Sequence, residues 1–160
     1  MKKRWISLLV ENDIGVLARI SGLFSGKSYN LNSLTVGTTE DKTISRMTIS
    51  LTSDDMTFEQ VKKQLNRSIE VIKVVDFTDV PIHLKELMFI RVNSCKSQDM
   101  EEIFRIVQTC EAKVIEYSRT AVIIESVRTE ERNNELASLL AKCFVNRIEI
   151  TRGGSVGIEL

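Results

Sequence analysis

Along the chain the spacing of apolar residues switches repeatedly between a period of two and a period near 3.6, and each switch marks an element. Trp5 to Glu11 is strand-like and runs into a turn with a helix-start signal at Asn12-Asp13. Val16, Leu17, Ile20, Leu23 and Phe24 then share one side of an α-helix predicted to end near Gly26. Two β-rich runs follow, Leu31 to Thr39 and Ile44 to Thr52, joined by a hairpin turn at Glu40-Asp41-Lys42. The second run alternates Met47, Ile49 and Leu51 with Arg46, Thr48 and Ser50, the signature of a half-buried strand. Thr57 and Gln60 have capping-box spacing, Phe58, Val61, Leu65 and Ile69 form the stripe of a second helix, and Val71 to Phe77 reads as a fourth strand.

After Asp79-Val80-Pro81 the same order starts again. Leu87 to Val92 is a strand, and Ser97 caps a helix whose inner face carries Met100, Ile103, Phe104 and Val107. Lys113 to Tyr117 and Ala121 to Val127 pair around Ser118-Arg119. Thr129 opens a helix with Leu136, Leu139 and Leu140, and Phe144 to Ile150 closes the unit. The pattern predicts an α+β chain of two ferredoxin-like βαββαβ units, residues 1–79 and 80–160. Each unit is a four-stranded antiparallel sheet with both helices on one face. The other face of the first sheet then needs a cover, from the second unit, another chain or a partner, so an oligomer or complex is expected.

Composition narrows the function. With 42% apolar and 28% charged residues among 160, the chain is globular and neither disordered nor low in complexity. Its 22 basic side chains balance 22 acidic ones, which excludes partners held by bulk charge, nucleic acid and anionic membrane among them. The strand Ile44 to Thr52 has no aromatic residue on which an RNA base could stack. The apolar run that follows Lys2-Lys3-Arg4 ends at Glu11, and no stretch approaches the ~18 residues of a membrane span, so a cytoplasmic protein is expected. Cys95, Cys110 and Cys143 lack metal-ligand spacing and read as reduced, mostly buried thiols. His83, the single imidazole, falls in the linker between units, which leaves a histidine mechanism without a base. The pairs Glu40-Asp41 and Asp54-Asp55 read as solvated loop charges, Glu101-Glu102 and Glu130-Glu131 as first-turn helix charges, and Gly153-Gly154 as a turn after the last strand. No catalytic residue, metal or cofactor is assigned.

One segment carries more. Glu11-Asn12-Asp13-Ile14-Gly15-Val16-Leu17 takes a strand directly into a helix N-terminus, where free backbone N–H groups can bind a carboxylate. Gly15 permits close backbone approach, and Asn12 and Asp13 offer polar groups that could hold the two ends of an amino acid. The same residues could equally do no more than cap the helix and relieve the turn.

Asn12-Asp-x-Gly15-Val-Leu17 resembles the ligand loop of ACT domains, small regulatory modules. Leu23-Phe24-Ser25, the run from Tyr29 to Val36 and Ser45-Arg46-Met47-Thr48-Ile49 extend the likeness to the regulatory small subunit of acetolactate synthase (acetohydroxyacid synthase). The likeness is strong over residues 4–78 and weaker afterwards, where Gly153-Gly154 departs from the expected single Gly. It implies a non-catalytic subunit that activates a thiamine-diphosphate-dependent large catalytic subunit, the catalytic cofactors belonging to that partner. It further implies feedback inhibition by L-valine or another branched-chain amino acid, and a homodimer through ACT domains. The effector would lie between Asn12, Asp13, Ile14, Gly15, Val16 and Leu17 of one chain and Asn30-Leu31 of the other. Two other classes stay open from the residues themselves: a free-standing ACT-type sensor acting on another enzyme, and a small acylphosphatase-like enzyme. Against the latter, Asp13 would repel phosphate and Arg19 falls in the predicted helix and not in the loop.

Overall fold

The structure, a computed structural model, describes residues 1–25 and 30–160; the predicted helix end near Gly26 and Tyr29 of the family-like run lie outside the described residues. The chain divides into two compact units, Met1–His83 with Val156–Leu160, and Leu84–Ser155. The last five residues therefore return to the first unit, where the pattern alone places them in the second.

The first unit runs β1 (Lys2–Glu11), α1 (Val16–Leu23), β2 (Asn30–Thr38), β3 (Ile44–Ser53), α2 (Asp55–Arg67) and β4 (Val71–Asp76). Its strands lie in the order β2-β3-β1-β4 with antiparallel neighbours. Alternation sends Ile6, Leu8 and Val10 of β1 and Met47, Ile49 and Leu51 of β3 to one side, where they pack with Val16 and Ile20 of α1 and Phe58, Val61 and Leu65 of α2. Each such fully buried side chain stabilises the unit by roughly 1.5–3 kcal/mol. The cap of α2 is Asp54, not Thr57: its carboxylate accepts from the Thr57 N–H at 2.7 Å, so Asp54 has a structural task that a loop charge lacks. Ile69 lies beyond the end of α2 and is 92% exposed, because the helix closes at Ser68 before the stripe reaches it.

On the opposite sheet face Ser7, Thr48 and Ser50 are buried hydroxyls, with Ser33 Oγ and Ser50 Oγ 2.8 Å apart. The returning tail lies against this face: Gly157 N–H donates to Thr48 Oγ1 at 3.2 Å, Glu159 stands 3.8 Å from Lys73 Nζ, and Leu160 N–H donates to the Pro81 carbonyl. Part of the cover predicted for the sheet is thus supplied by the unit's own C-terminal segment.

The second unit repeats the order: β5 (Ile82–Val92), α3 (Ser97–Thr109), β6 (Lys113–Tyr117), β7 (Val122–Arg128), α4 (Glu130–Cys143) and β8 (Ile148–Glu159), arranged β6-β7-β5-β8. Met88, Ile90, Val92, Ile103, Ile106, Val107, Val122, Ile124, Leu136 and Leu140 form its core. Several expectations change here. His83 is an exposed residue of β5 and not of a linker. Phe104 is 47% exposed and meets Tyr117 edge-on, ring centroids 6.4 Å apart, while Ile106 takes a core place. Lys96, not Ser97, holds the N-cap position of α3. Phe144 is the buried residue that ends α4, and the final strand starts at Ile148 and contains Gly153-Gly154, Gly154 at φ 82°. Of the thiols only Cys95 is buried; Cys110 is half-buried and Cys143 exposed.

A polar network crosses this unit. Arg152 grips Glu86 through two hydrogen bonds of 3.0 and 2.7 Å; Asn133 Nδ2 donates to the same carboxylate at 2.9 Å, and Asn133 Oδ1 accepts from Ser126 Oγ at 2.8 Å. Glu86, Asn133 and Ser126 are all buried, so each polar atom needs these partners. Among the described residues no helix is long and apolar enough to cross a membrane.

Candidate functional site

The corner between β1 and α1 is clamped from two sides. Glu11 N–H donates to the Glu70 carbonyl at 2.9 Å, and Asn12 N–H to the Thr43 carbonyl at 2.8 Å. Asn12 Nδ2 donates to the Lys42 carbonyl at 2.9 Å, which ties the corner to the β2–β3 hairpin. That hairpin is itself tight, because Asp41 accepts from the hydroxyl and the N–H of Thr43, and these two bonds hold its carboxyl below the ordinary value.

Neither Asn12 nor Asp13 caps the helix. The N-cap position belongs to Gly15, at φ 81° and ψ −4°, and among the described residues no side chain caps the first turn of α1. The Asp13 and Gly15 carbonyls accept from Val16 and Arg19 N–H and close the turn. Left-handed backbone of this kind suits glycine, and a Cβ added there would also stand 3.3 Å from Arg19 Nη1. Arg19 is held across the corner by Glu70, Nε to Oε1 2.5 Å. The first-turn N–H groups consequently keep their partial positive charge without a side-chain acceptor, the local chemistry of an anion site.

Around this charge the side chains are apolar and unsheltered. Ile14 is fully exposed at 100% and Leu17 is 45% exposed, whereas Val16 turns into the core. Asn30 is exposed and Leu31 packs on the core from β2. The register places the two halves of the predicted site at opposite ends of one sheet: Asn30 pairs with Thr52, but Glu11 pairs with Ile44, next to Thr38 opposite Ser45. At about 3.3 Å per residue the separation along β2 is roughly 26 Å. One chain therefore brings Asn12 to Leu17 together and leaves Asn30-Leu31 far from them.

The pattern of residues did not disclose the Arg19–Glu70 pair or the bond from Asn12 to Lys42, since both join segments distant in sequence. Gly15 was the available signal, and the structure gives it the left-handed position such a glycine serves.

Comparison with known proteins gives a concordant result. Residues 6–73 match the family described as AHAS small subunit-like ACT domain, and residues 85–160 the family described as small subunit of acetolactate synthase. The chain is 40% identical over 159 residues to the acetolactate synthase small subunit of Aquifex aeolicus, covering 99% of this chain and 82% of that one. It is 40% identical over 156 residues to the probable acetolactate synthase small subunit of Archaeoglobus fulgidus, covering 98% and 96%. The crystal structure of the acetolactate synthase small subunit from Thermotoga maritima superposes with a TM-score of 0.86 at 30% identity, covering 100% of this chain and 98% of that one. Two family matches spanning both units, relatives aligned over nearly the whole chain and a shared fold lead to one conclusion: the chain belongs to the family of acetolactate synthase small subunits, and its part in that enzyme is the regulatory, non-catalytic one.

Proposed function

We propose that the first unit is the effector domain, that it binds a branched-chain amino acid, L-valine foremost, at a site shared by two copies of the chain, and that binding regulates a large catalytic subunit in the cytoplasm. The observation that carries this reading is the uncapped α1 N-terminus at Gly15 beside exposed Ile14 and Leu17. It combines a place for a carboxylate with apolar surface for an aliphatic side chain.

Two copies complete the arrangement. β2 is an edge strand, free to pair antiparallel with its own copy about a two-fold axis. Such pairing sets Asn30 and Leu31 of the partner subunit at the sheet end where Asn12 to Leu17 lie. The magnitudes favour sharing. Sub-millimolar affinity requires roughly 5–6 kcal/mol net; a helix end supplies about 0.3–2 and a valine-sized side chain about 1.5–3, with association entropy opposing them. A second wall, with its own hydrogen bonds, makes up the difference. The effector then acts through unequal affinity for two pairings of the units, which shifts the catalytic subunit toward a less active state.

The test is isothermal titration of the purified chain with L-valine, L-leucine and L-isoleucine, repeated with Asn12→Ala. Saturable binding that the substitution weakens, together with co-purification of a large subunit, is the expected result. Unchanged affinity in Asn12→Ala removes the corner from the site.

A further inference from the structure

The sheet face turned away from the helices of the first unit holds a cavity of about 270 Å³, bounded by Val36, Glu40, Arg46, Thr48, Val156 and Ile158 among others. Its cation is unusual in this molecule. The other half-buried arginines are each matched by a carboxylate, Arg4 by Asp55, Arg128 by Glu111 and Arg147 by Asp99. Arg46 is half-buried too, yet among the described residues it makes no ion pair and no hydrogen bond. A guanidinium taken partly out of water without an acceptor is unfavourable, and its planar fork can bind a carboxylate through two parallel hydrogen bonds.

The neighbours define the rest of the ligand. Thr48 Oγ1 accepts from Gly157 N–H, which leaves the hydroxyl proton free to donate. Val156 and Ile158 are partly exposed apolar walls. Glu40, exposed at the rim, disfavours a second negative charge. The volume lies just below the roughly 300–1,000 Å³ of drug-sized sites, which suits a small metabolite-sized occupant.

We propose that this cavity is a second small-molecule site, which takes a short aliphatic monocarboxylate with its carboxylate on Arg46 and its chain against Val156 and Ile158. Because two of its walls belong to the tail, an occupied cavity also holds Val156–Leu160 on the sheet. The site is independent of the corner at Gly15: Arg46 pairs with Leu9 on the sheet face opposite α1.

The experiment is calorimetric titration of the full chain with isovalerate, and with isobutylamine as the oppositely charged probe of similar shape. Saturable isovalerate binding and no isobutylamine binding are expected of the unaltered chain. Arg46→Gln should weaken isovalerate about 10- to 100-fold, the range for a lost charge-assisted pair. Asn12→Ala should leave it unchanged. Glu40→Gln should tighten it, which keeps the idea testable if Arg46→Gln does not fold. The proposal is overturned by an unaltered chain that ignores isovalerate, by equal affinity in Arg46→Gln, by no gain in Glu40→Gln, or by loss in Asn12→Ala, which would send the anion to the first corner. Failure of L-valine to bind, with isovalerate behaving as expected, would count against the corner alone.

Discussion

The two units share strand order and helix placement, but they finish the same corner differently. In the first, α1 begins at a left-handed glycine, with no side-chain cap on its first turn among the described residues and with Ile14 and Leu17 exposed. In the second, the corresponding β5–α3 corner is filled from within. Asp99 accepts from Lys96 N–H at 2.7 Å, and Arg147 reaches across to Asp99 at 3.1 Å and to the Ser94 carbonyl at 2.9 Å. The Arg147 hydrogen bonds and then the Lys96 N–H hold the Asp99 carboxyl below its ordinary value. Cys95 is buried beneath this pair, and burial raises its thiol. A βαββαβ unit thus offers a helix N-terminus at this corner, and whether it can take a ligand depends on whether the chain supplies its own carboxylate.

Substitutions can break that contrast at several points. The largest effect is expected from Arg152→Leu, which removes the cation that neutralises the buried Glu86 carboxylate and loosens the Asn133 network; a loss of about 3 kcal/mol in denaturant unfolding is expected. Gly15→Ala comes next. Its φ of 81° and the closeness of Arg19 cost about 1–2 kcal/mol, and effector affinity should fall with the altered corner. The comparable change in the second unit, Ser94→Gly at φ 54°, should be neutral or stabilising, so thermal melts of the two variants sharpen the comparison. Thr129→Ala removes the hydroxyl that accepts from Arg132 N–H at the head of α4 and should cost about 1 kcal/mol in the same melts.

The smallest effect concerns pH. Because the folded Asp99 carboxyl is depressed, its contribution is present above the unfolded value of about 3.9 and is lost as pH falls through the folded one. Asp99→Asn should therefore flatten the acid side of the stability curve, as followed by circular dichroism. An unchanged acid limb would show that the Arg147 contact does not stabilise the corner.

Legibility followed the range of the interactions. Helix stripes such as Phe58, Val61 and Leu65, and the alternation through β3, depend on neighbours a few residues apart, and they were readable. Errors collected at element ends. Asp54 rather than Thr57 caps α2, and Ile69 falls outside, because a stripe does not say where hydrogen bonding stops. Gly153-Gly154 looked like a turn but continues β8, since a strand that passes from one unit to the other leaves no local mark. At the corner, Asn12 to Leu17 were identifiable by type and spacing, while the roles of Asn12 toward Lys42 and of Arg19 toward Glu70 were not.

By itself the sequence determined the repeated βαββαβ order, most of the core-facing residues, the family and the glycine corner, all properties of residue type at short spacing. Only the tertiary structure decided that the first helix is uncapped, that the second corner is closed by Asp99 and Arg147, and that Asn30 lies about 26 Å along the strand from Asn12. It alone placed the tail beside Thr48 and left Arg46 without an acceptor among the described residues. These are outcomes of strand register and of contacts between residues far apart in the chain, which pattern and composition do not encode.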